Sequence, residues 1–330
     1  MNIDWALITA LVERWRQETH TFHLPTGEIA PTLQDRDDWD TFHKPRGCYH
    51  LKVKFLRKAF VPEGQELNNK VDAKLEENSP PEVVKKYAIS FMLDLFGSIM
   101  FPNKSDYLYA YFLPFIEDVD NPPKISWGSG LLAFLYRGLC RAAQEDTKSV
   151  AISALFLQIW TWTRFLIGRP KPTDVPVGLD VPFGSKWVGV HRYGDVVHDS
   201  VSAYRRDFEE LRDDDVNWNP YNMNDLPDLC RNKNEMELWF YDGPLFWFYM
   251  VEAHPIQRVM RQMNKRQPIP PPLLTCPDDL HQFDNNPLTK VIRNVTVAHD
   301  AVAAMREFTG RTRAFARRVL IACQGNSPQA

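Results

Sequence analysis

The sequence predicts a mainly α-helical protein: a multi-helix globular bundle around a central buried helix at about residues 147–167, with a small N-terminal β-hairpin. Three observations lead to this fold class. The run VAISALFLQIWTWTRFLI at residues 150–167 is apolar on nearly every side, and such a helix needs packing partners all round. The sequence SPPE at residues 79–82 has the residue types of a helix start. Residues 19–24 alternate in polarity, as a half-buried strand does.

The N-terminal elements follow from local patterns. Apolar residues recur at helical spacing and predict an amphipathic opening helix; they are Trp5, Ile8, Leu11, Val12 and Trp15. The alternating strand Thr19–Leu24 is followed by the turn sequence Pro-Thr-Gly, after which residues 28–31 can return as a second strand. Thr32 is expected to cap a further helix start, with Asp35 in its first turn.

The rest of the chain is predicted to be largely helical. The predicted helices are Pro80–Met100, Ser129–Ala143, Thr147–Ile167, Ser200–Arg212, Leu245–Ala253, Pro255–Asn264 and about Asp300–Ala322. Long irregular connections are expected at 168–194 and 267–277, which are rich in proline and glycine. We expect one domain over residues 1–330, with a shortened N-terminal subdomain (1–78), a helical core (79–323) and a disordered tail (324–330).

The central helix supplies the predicted core. Its large apolar residues include Phe156, Leu157, Trp160 and Leu166. We expect Trp160 to be buried. Arg164 lies inside the apolar run, so we expect it to pair with a carboxylate near the helix end, with Glu252 as the first candidate. The apolar run is interrupted by Gln158, Thr161, Thr163 and Arg164, which favours a buried helix over a membrane span.

Composition excludes some broad classes of function. The net charge is −3 and the calculated pI is about 6.3, so the chain as a whole does not attract nucleic acid or an anionic membrane. The five cysteines are scattered without a CxxC pair. Together with an N-terminus that lacks the features of a signal peptide, they predict free thiols in a reducing compartment.

Two groups of residues are candidates for binding. The densest polar run beside an apolar segment, called here the Glu252–Gln267 group, consists of Glu252, His254, Arg258, Arg261, Gln262 and Gln267. It is interpreted either as an anion or partner contact, since arginine offers a planar fork to carboxylate or phosphate, or as internal pairing between helix ends and loops. The second group, the C-terminal arginines, consists of Arg306, Arg311, Arg313, Arg317 and Arg318. They can contact nucleic acid phosphates or form the solvated face of an amphipathic helix.

Other motifs have weaker support. GSGLLA at residues 128–133 fits the GxGxxA pattern but lacks a preceding apolar strand, so helix-start packing is favoured over a dinucleotide site. His191, Asp195 and His198 are candidate metal ligands, but two nearby glycines make a continuous helix improbable and favour polar loop residues. His20 and His23 are expected to point to opposite sides of a strand. The sequence therefore predicts no metal site and no cofactor.

Several motifs together carry a family resemblance. They are WALITALVERWRQETHTFHLPTGEIAPTLQD from Trp5, SWGSGLLAFLYRGLCRAA, LFLQIWTWTRF, VNWNPY and PLFWFYMVEAHPIQRVMRQMNKRQPIP. In this order, over about residues 5–270, they resemble the plant mobile domain family, which transposable elements share with host nuclear proteins. The chain departs from the family pattern at RDDWDTFHKPRG, residues 36–47.

The resemblance implies a cellular role but gives little indication of a catalysed reaction. Family members of the MAINTENANCE OF MERISTEMS group imply a nuclear location and a role in transposon or gene silencing, genome maintenance and meristem development. They also imply a serine/threonine phosphatase of the plant PP7 type as the partner. The family's older label, "aminotransferase-like", implies pyridoxal phosphate, but neither Lys124 nor Lys186 has a recognisable phosphate cup beside it. We therefore expect a non-catalytic protein-interaction module. A nucleic-acid-binding protein and an aminotransferase-like enzyme are the alternatives.

Overall fold

The computed structural model describes residues 3–35, 80–103, 112–116, 118–121, 125–147, 151–172, 187, 200–221, 233–248 and 250–270. Helices form the larger part of its regular structure, and small antiparallel sheets form the rest. The chain divides into two compact units, one of residues 1–48 with 126–283 and the other of residues 49–125 with 284–330. The predicted boundary between residues 78 and 79 stays a prediction.

The first unit begins with a helix and a three-stranded sheet. Helix α1 spans Trp5–Val12, and the Asp4 side chain caps it by accepting a hydrogen bond from the Leu7 backbone N–H at 3.0 Å. Strands β1 (Trp15–Arg16), β2 (Thr21–Leu24) and β3 (Gly27–Ile29) follow in antiparallel order. The predicted helix and hairpin are therefore confirmed, with two differences. Trp5 is 62% exposed, and Trp15 belongs to an additional strand instead of the helix.

The turn between β2 and β3 depends on one glycine. Gly27 has φ +127°, a backbone conformation that side chains with a Cβ rarely adopt. Beyond β3, Thr32 and Asp35 contact each other, but the helix expected to begin there is not confirmed, because residues 33–35 form a turn and the residues after Asp35 lie outside the described ranges. The Thr32 backbone N–H donates to Asp35 Oδ2 at 2.7 Å, and the Thr32 hydroxyl does so at 3.0 Å.

Two long helices contribute many of the buried apolar residues of this unit. Helix α4 spans Trp127–Ala142, close to its predicted bounds. Helix α5 spans Ala154–Arg164, shorter than the predicted 147–167, and each of its residues is buried. Trp160 is fully buried, as predicted, and its ring lies 5.6 Å from that of Phe22. Leu166 lies past the end of α5 and is 48% exposed, so its predicted place in the core is wrong.

The remaining elements of the first unit are short. Helix α6 (Val201–Glu209) lies within the predicted range Ser200–Arg212 and is capped by Ser200, and helix α7 spans Lys233–Leu238. The predicted helix Leu245–Ala253 is wrong, because this segment forms an antiparallel hairpin of β4 (Pro244–Trp247) and β5 (Met250–Ala253). In β4, exposed and buried residues alternate with period two, which a strand packed on one face requires.

The predicted helix Pro255–Asn264 is also wrong in type. Two short 3₁₀ helices, Ile256–Arg258 and Met260–Met263, take its place. The segment ends at Asn264, which has the left-handed φ of 54° that asparagine tolerates better than most residues.

The described part of the second unit contains helix α2 (Pro81–Leu95), which a π-helical turn at Phe96–Met100 continues, and helix α3 (Leu113–Ile116). The predicted end of α2 near residue 100 is confirmed. The helix begins at Pro81 after Pro80, one residue later than predicted, and no side chain caps it. Three rings pack beside the π-helical turn, those of Phe96, Phe101 and Phe112.

Candidate functional site

The Glu252–Gln267 group begins with a buried carboxylate on β5. Glu252 is fully buried and accepts a hydrogen bond from the Arg137 guanidinium of α4. On its other side, His20 Nε2 lies 3.4 Å from Glu252 Oε2, and His20 Nδ1 donates to the Ala253 carbonyl at 3.0 Å. Burial lowers the pKa of His20, and the charge of Arg137 lowers it further. Glu252 therefore ties α4, the N-terminal sheet and the β4–β5 hairpin together.

Arg164 has a different partner from the expected one. Its guanidinium donates to Asp35 Oδ1 at 2.7 Å, to Gln34 Oε1 at 3.2 Å and to the Trp218 carbonyl. Asp35 also accepts from the Tyr221 hydroxyl at 2.6 Å. The expectation of a buried carboxylate partner is confirmed, but Glu252 as that partner is wrong because Arg137 and His20 already surround it.

The two arginines of the group lie on separate 3₁₀ helices and have separate partners. Arg258 pairs with Glu28 on β3 at 3.0 Å. Arg261 donates to both oxygens of Asp213 at 2.8 Å and to the Thr26 carbonyl at 3.0 Å. Its guanidinium lies 3.9 Å from the ring centroid of Trp218. The two cations therefore fasten the tip and last strand of the N-terminal sheet.

The two glutamines and His254 make backbone contacts. Gln262 accepts from the Ala30 N–H and donates to the Ala30 carbonyl, both at 2.8 Å, so its amide acts as a strand partner just beyond β3. Gln267 accepts from the Met260 N–H at 2.9 Å. His254 Nδ1 donates to the Tyr241 carbonyl at 2.7 Å, and burial lowers the pKa of His254 to about 4. All six residues of the group thus have contacts within the chain.

Apolar residues are exposed immediately before and within β4. We call them the 238–246 surface: Leu238 (42% exposed), Phe240 (38%), Tyr241 (39%) and Phe246 (59%). Apolar side chains concentrated in one exposed segment are typical of binding surfaces. This surface was not predicted from the sequence, because Leu245–Ala253 was expected to form a helix. The residues of β4, PLFW, are all apolar, so the sequence has no alternation of polarity that would have marked the strand.

The other motifs have mixed outcomes. Gly130 packs against the Trp247 ring, which a Cβ would overlap, so the interpretation of GSGLLA as helix packing is supported. His20 is buried and His23 is not, and they contact different partners. The described residues contain no helix long and apolar enough to span a membrane. Within the same ranges, no three metal-binding side chains cluster.

Several predicted residues lie outside the described ranges. They are the C-terminal arginines, the histidines 191 and 198, Asp195 and the lysines 124 and 186. Among the cysteines, Cys140 is described. It is a free, buried thiol that accepts a hydrogen bond from Trp15 Nε1 at 3.3 Å, and burial raises its pKa to about 12. Such a thiol is unreactive at neutral pH, because the thiolate is the nucleophile.

Comparison with protein families gives one extended match. A model described as "Plant mobile domain" matches residues 1–36 and 44–312. The gap at residues 37–43 falls within the segment where the sequence departs from the family pattern. No solved structure is similar to the chain.

Curated proteins of Arabidopsis thaliana are similar over most of the chain. The chain is 33% identical to a "Serine/threonine-protein phosphatase 7 long form homolog", over 86% of this chain and 23% of that protein. It is 29% identical to "Protein MAIN-LIKE 1", over 82% and 56% of the two chains. It is 28% identical to "Protein MAINTENANCE OF MERISTEMS", over 82% and 59%. The chain therefore spans between 23% and 59% of the length of these relatives.

Proposed function

The chain belongs to the plant mobile domain family, and we propose that it is a non-catalytic protein-interaction module of transposon-related origin. The observation that carries this proposal is that a group of polar residues makes contacts within the chain while a group of apolar residues is exposed. The Glu252–Gln267 group is engaged in contacts within the chain, whereas the 238–246 surface is exposed to solvent. An internally fastened scaffold that presents apolar side chains has the features of a binding module.

The proposed partner is a serine/threonine phosphatase of the phosphatase 7 type. The support is that a relative named as a phosphatase 7 long form homolog contains the region similar to this chain as 23% of its length. The rest of that protein has room for a catalytic domain. The same region occurs in relatives named for meristem maintenance. We propose that this module binds such a phosphatase when the two are on separate chains.

The proposed setting is the nucleus, and the proposed role is transposon or gene silencing, genome maintenance and meristem development. The family resemblance and the name of the meristem-maintenance relative support this role. For the architecture, we propose that α5 is the centre of a helical bundle, because each of its residues is buried.

Affinity purification from plant nuclei tests the proposal. The bait is the full chain, and the key variant is Phe246→Asp, which places a charge on the 238–246 surface. The matched control is Ile269→Asp, because Ile269 is apolar and 96% exposed but lies outside that surface. We expect the native chain and the control to recover a phosphatase of this type and the key variant to lose it. Recovery of exclusively cytosolic or membrane proteins by the native chain would falsify the proposal.

A spectroscopic test addresses the aminotransferase-like alternative. Purified protein supplied with pyridoxal phosphate is expected to stay colourless and to show no transferase activity. A yellow protein that loses its colour on borohydride reduction would carry the cofactor as a Schiff base on lysine, and the non-catalytic proposal would then be wrong.

A further inference from the structure

We propose that the outer edge of β4 binds an extended peptide segment of a partner protein by strand addition, and that this peptide combines apolar residues with lysine or arginine. The inference rests on the proposed function, because it assigns the binding surface of the interaction module. Its elements are the free backbone edge at Phe246, the apolar outer face of the hairpin and the acidic character of the surrounding sequence.

The pairing of β4 with β5 determines which backbone groups point outward. The His254 N–H donates to the Gly243 carbonyl at 3.1 Å, which makes 243 and 254 a hydrogen-bonded pair. Hydrogen-bonded and non-hydrogen-bonded pairs alternate along an antiparallel ladder. Leu245 and Trp247 therefore bond to β5, whereas Pro244 and Phe246 direct their backbone groups away from it.

Two of the outward carbonyls confirm this alternation. The Ala253 carbonyl, on the β5 edge, accepts from His20, and the Pro244 carbonyl accepts from the Tyr241 hydroxyl at 3.2 Å. On the β4 edge, Phe246 presents one N–H and one carbonyl, for which no partner occurs within the described ranges. An exposed edge with unpaired groups is a template for another strand. A peptide residue opposite Phe246 can exchange two hydrogen bonds with it.

The outer face of the hairpin supplies the apolar contact. Pro244, Phe246 and Val251 share this face, since side chains two apart point the same way and Phe246 lies directly opposite Val251. Pro244 and Phe246 are exposed, and Val251 is half-buried. The pair Phe246–Val251 is not hydrogen-bonded, which brings its side chains close together. An added strand would place its alternate side chains against this pair.

Charge selects the chemistry of the peptide. Residues 234–257 contain four carboxylates and no lysine or arginine. Arg137 pairs with one of the four, Glu252. Asp242 is exposed beside the apolar residues, and its carboxylate accepts a hydrogen bond from the neutral amide of Gln257 at 3.3 Å. A peptide with basic residues is therefore favoured at this edge, and an acidic one is repelled.

The inner face of the hairpin holds the edge in place. Trp247 packs on Gly130 of α4, and Glu252 pairs with Arg137 of the same helix. A strand fixed in this way has little freedom left to lose when a peptide binds.

Selection from a library of short random peptides displayed on phage tests the inference. The full native chain, Phe246→Asp and the control Ile269→Asp are used as separate targets, and circular dichroism verifies that each is folded. We expect the native chain and the control to enrich peptides in which apolar and basic residues alternate, and Phe246→Asp to enrich none of them. No enrichment, enrichment of acidic peptides or equal enrichment on Phe246→Asp would each overturn the inference.

Backbone methylation of a selected peptide separates strand addition from general apolar adhesion. Replacing one peptide N–H by N-methyl should weaken binding at least about tenfold at the position that faces Phe246, because a hydrogen bond is lost and the methyl group clashes. The next residues on either side should tolerate the change, since their N–H groups point away. Equal sensitivity at consecutive positions would refute the strand geometry. If phosphatase capture from nuclei survives Phe246→Asp, the edge site is wrong and the module function stands.

Discussion

Asp35 is the residue whose removal should destabilise the first unit most clearly. Its carboxylate is fully buried and accepts hydrogen bonds from Arg164, Tyr221 and Thr32. The Asp35→Ala variant would leave the buried Arg164 guanidinium without its counter-ion. Breaking a buried ion pair from one side costs about 3–5 kcal/mol. Since natural domains are stable by about 5–15 kcal/mol, the variant should lose a large part of the free energy of unfolding.

Urea unfolding followed by tryptophan fluorescence measures this loss. The ten tryptophans all lie in residues 1–48 and 126–283, so their emission reports on the first unit. Arg205→Ala is the control, because the Arg205 side chain is 49% exposed in its pair with Glu13, and exposed pairs contribute less than about 1 kcal/mol. The double variant Asp35→Leu/Arg164→Met should recover much of the stability. An Asp35→Ala variant as stable as Arg205→Ala would refute the reasoning.

Four further predictions concern other parts of the chain. Trp160→Ala should lower the free energy of unfolding by about 3–5 kcal/mol in the same urea assay, and a loss below about 1 kcal/mol would contradict its central place in the core. Gly130→Ala should lower the free energy of unfolding by about 1–3 kcal/mol despite the helix propensity of alanine, because the new methyl group meets the Trp247 ring. A more stable variant would show that the Trp247 ring can move aside. The pKa of His254 is lowered from 6.5 to about 4, so the unfolded chain binds the extra proton first and stability falls as the pH drops from about 6.5 to 4, by up to about 3 kcal/mol. His254→Gln should flatten that part of the stability profile, and an unchanged slope would assign it to other groups. If the C-terminal arginines bind nucleic acid, a gel shift should weaken steeply with added salt, and no shift at low salt excludes them.

Helices with strong start signals could be predicted from the sequence. The helix expected at Ser200–Arg212 corresponds to α6, and the SPPE start signal predicted the beginning of α2 to within a residue. These signals are local, since a cap and a repeating apolar face involve residues a few positions apart. For the same reason the turn at Gly27 was predictable.

The β4–β5 hairpin was not predicted, because an apolar run of this length is ambiguous between helix and strand. Leu245, Trp247 and Val251 fit either periodicity over so short a segment. The choice was made by tertiary contacts, since α4 offers the ring of Trp247 a flat surface at Gly130. Contacts of this kind override local propensity.

The partners of the buried charges were the hardest part to predict. A buried arginine needs a carboxylate, and this rule correctly predicted that Arg164 is paired. The rule does not specify which carboxylate, because that depends on how distant segments pack. Asp35 is 129 residues away from Arg164 along the chain, and it was expected only to begin a helix.

The amide of Gln262, which binds both backbone groups of Ala30, has a consequence for synthesis of the protein on the ribosome. The two residues are 232 positions apart. At about 5–20 residues per second, Gln262 is made roughly 10 to 50 seconds after the strand it completes. Arg258 and Arg261, which fasten the same sheet, are made equally late. Until Gln262 is made, both backbone groups of Ala30 lack the partner that they have in the folded chain, so this end of the nascent N-terminal sheet stays open during that interval.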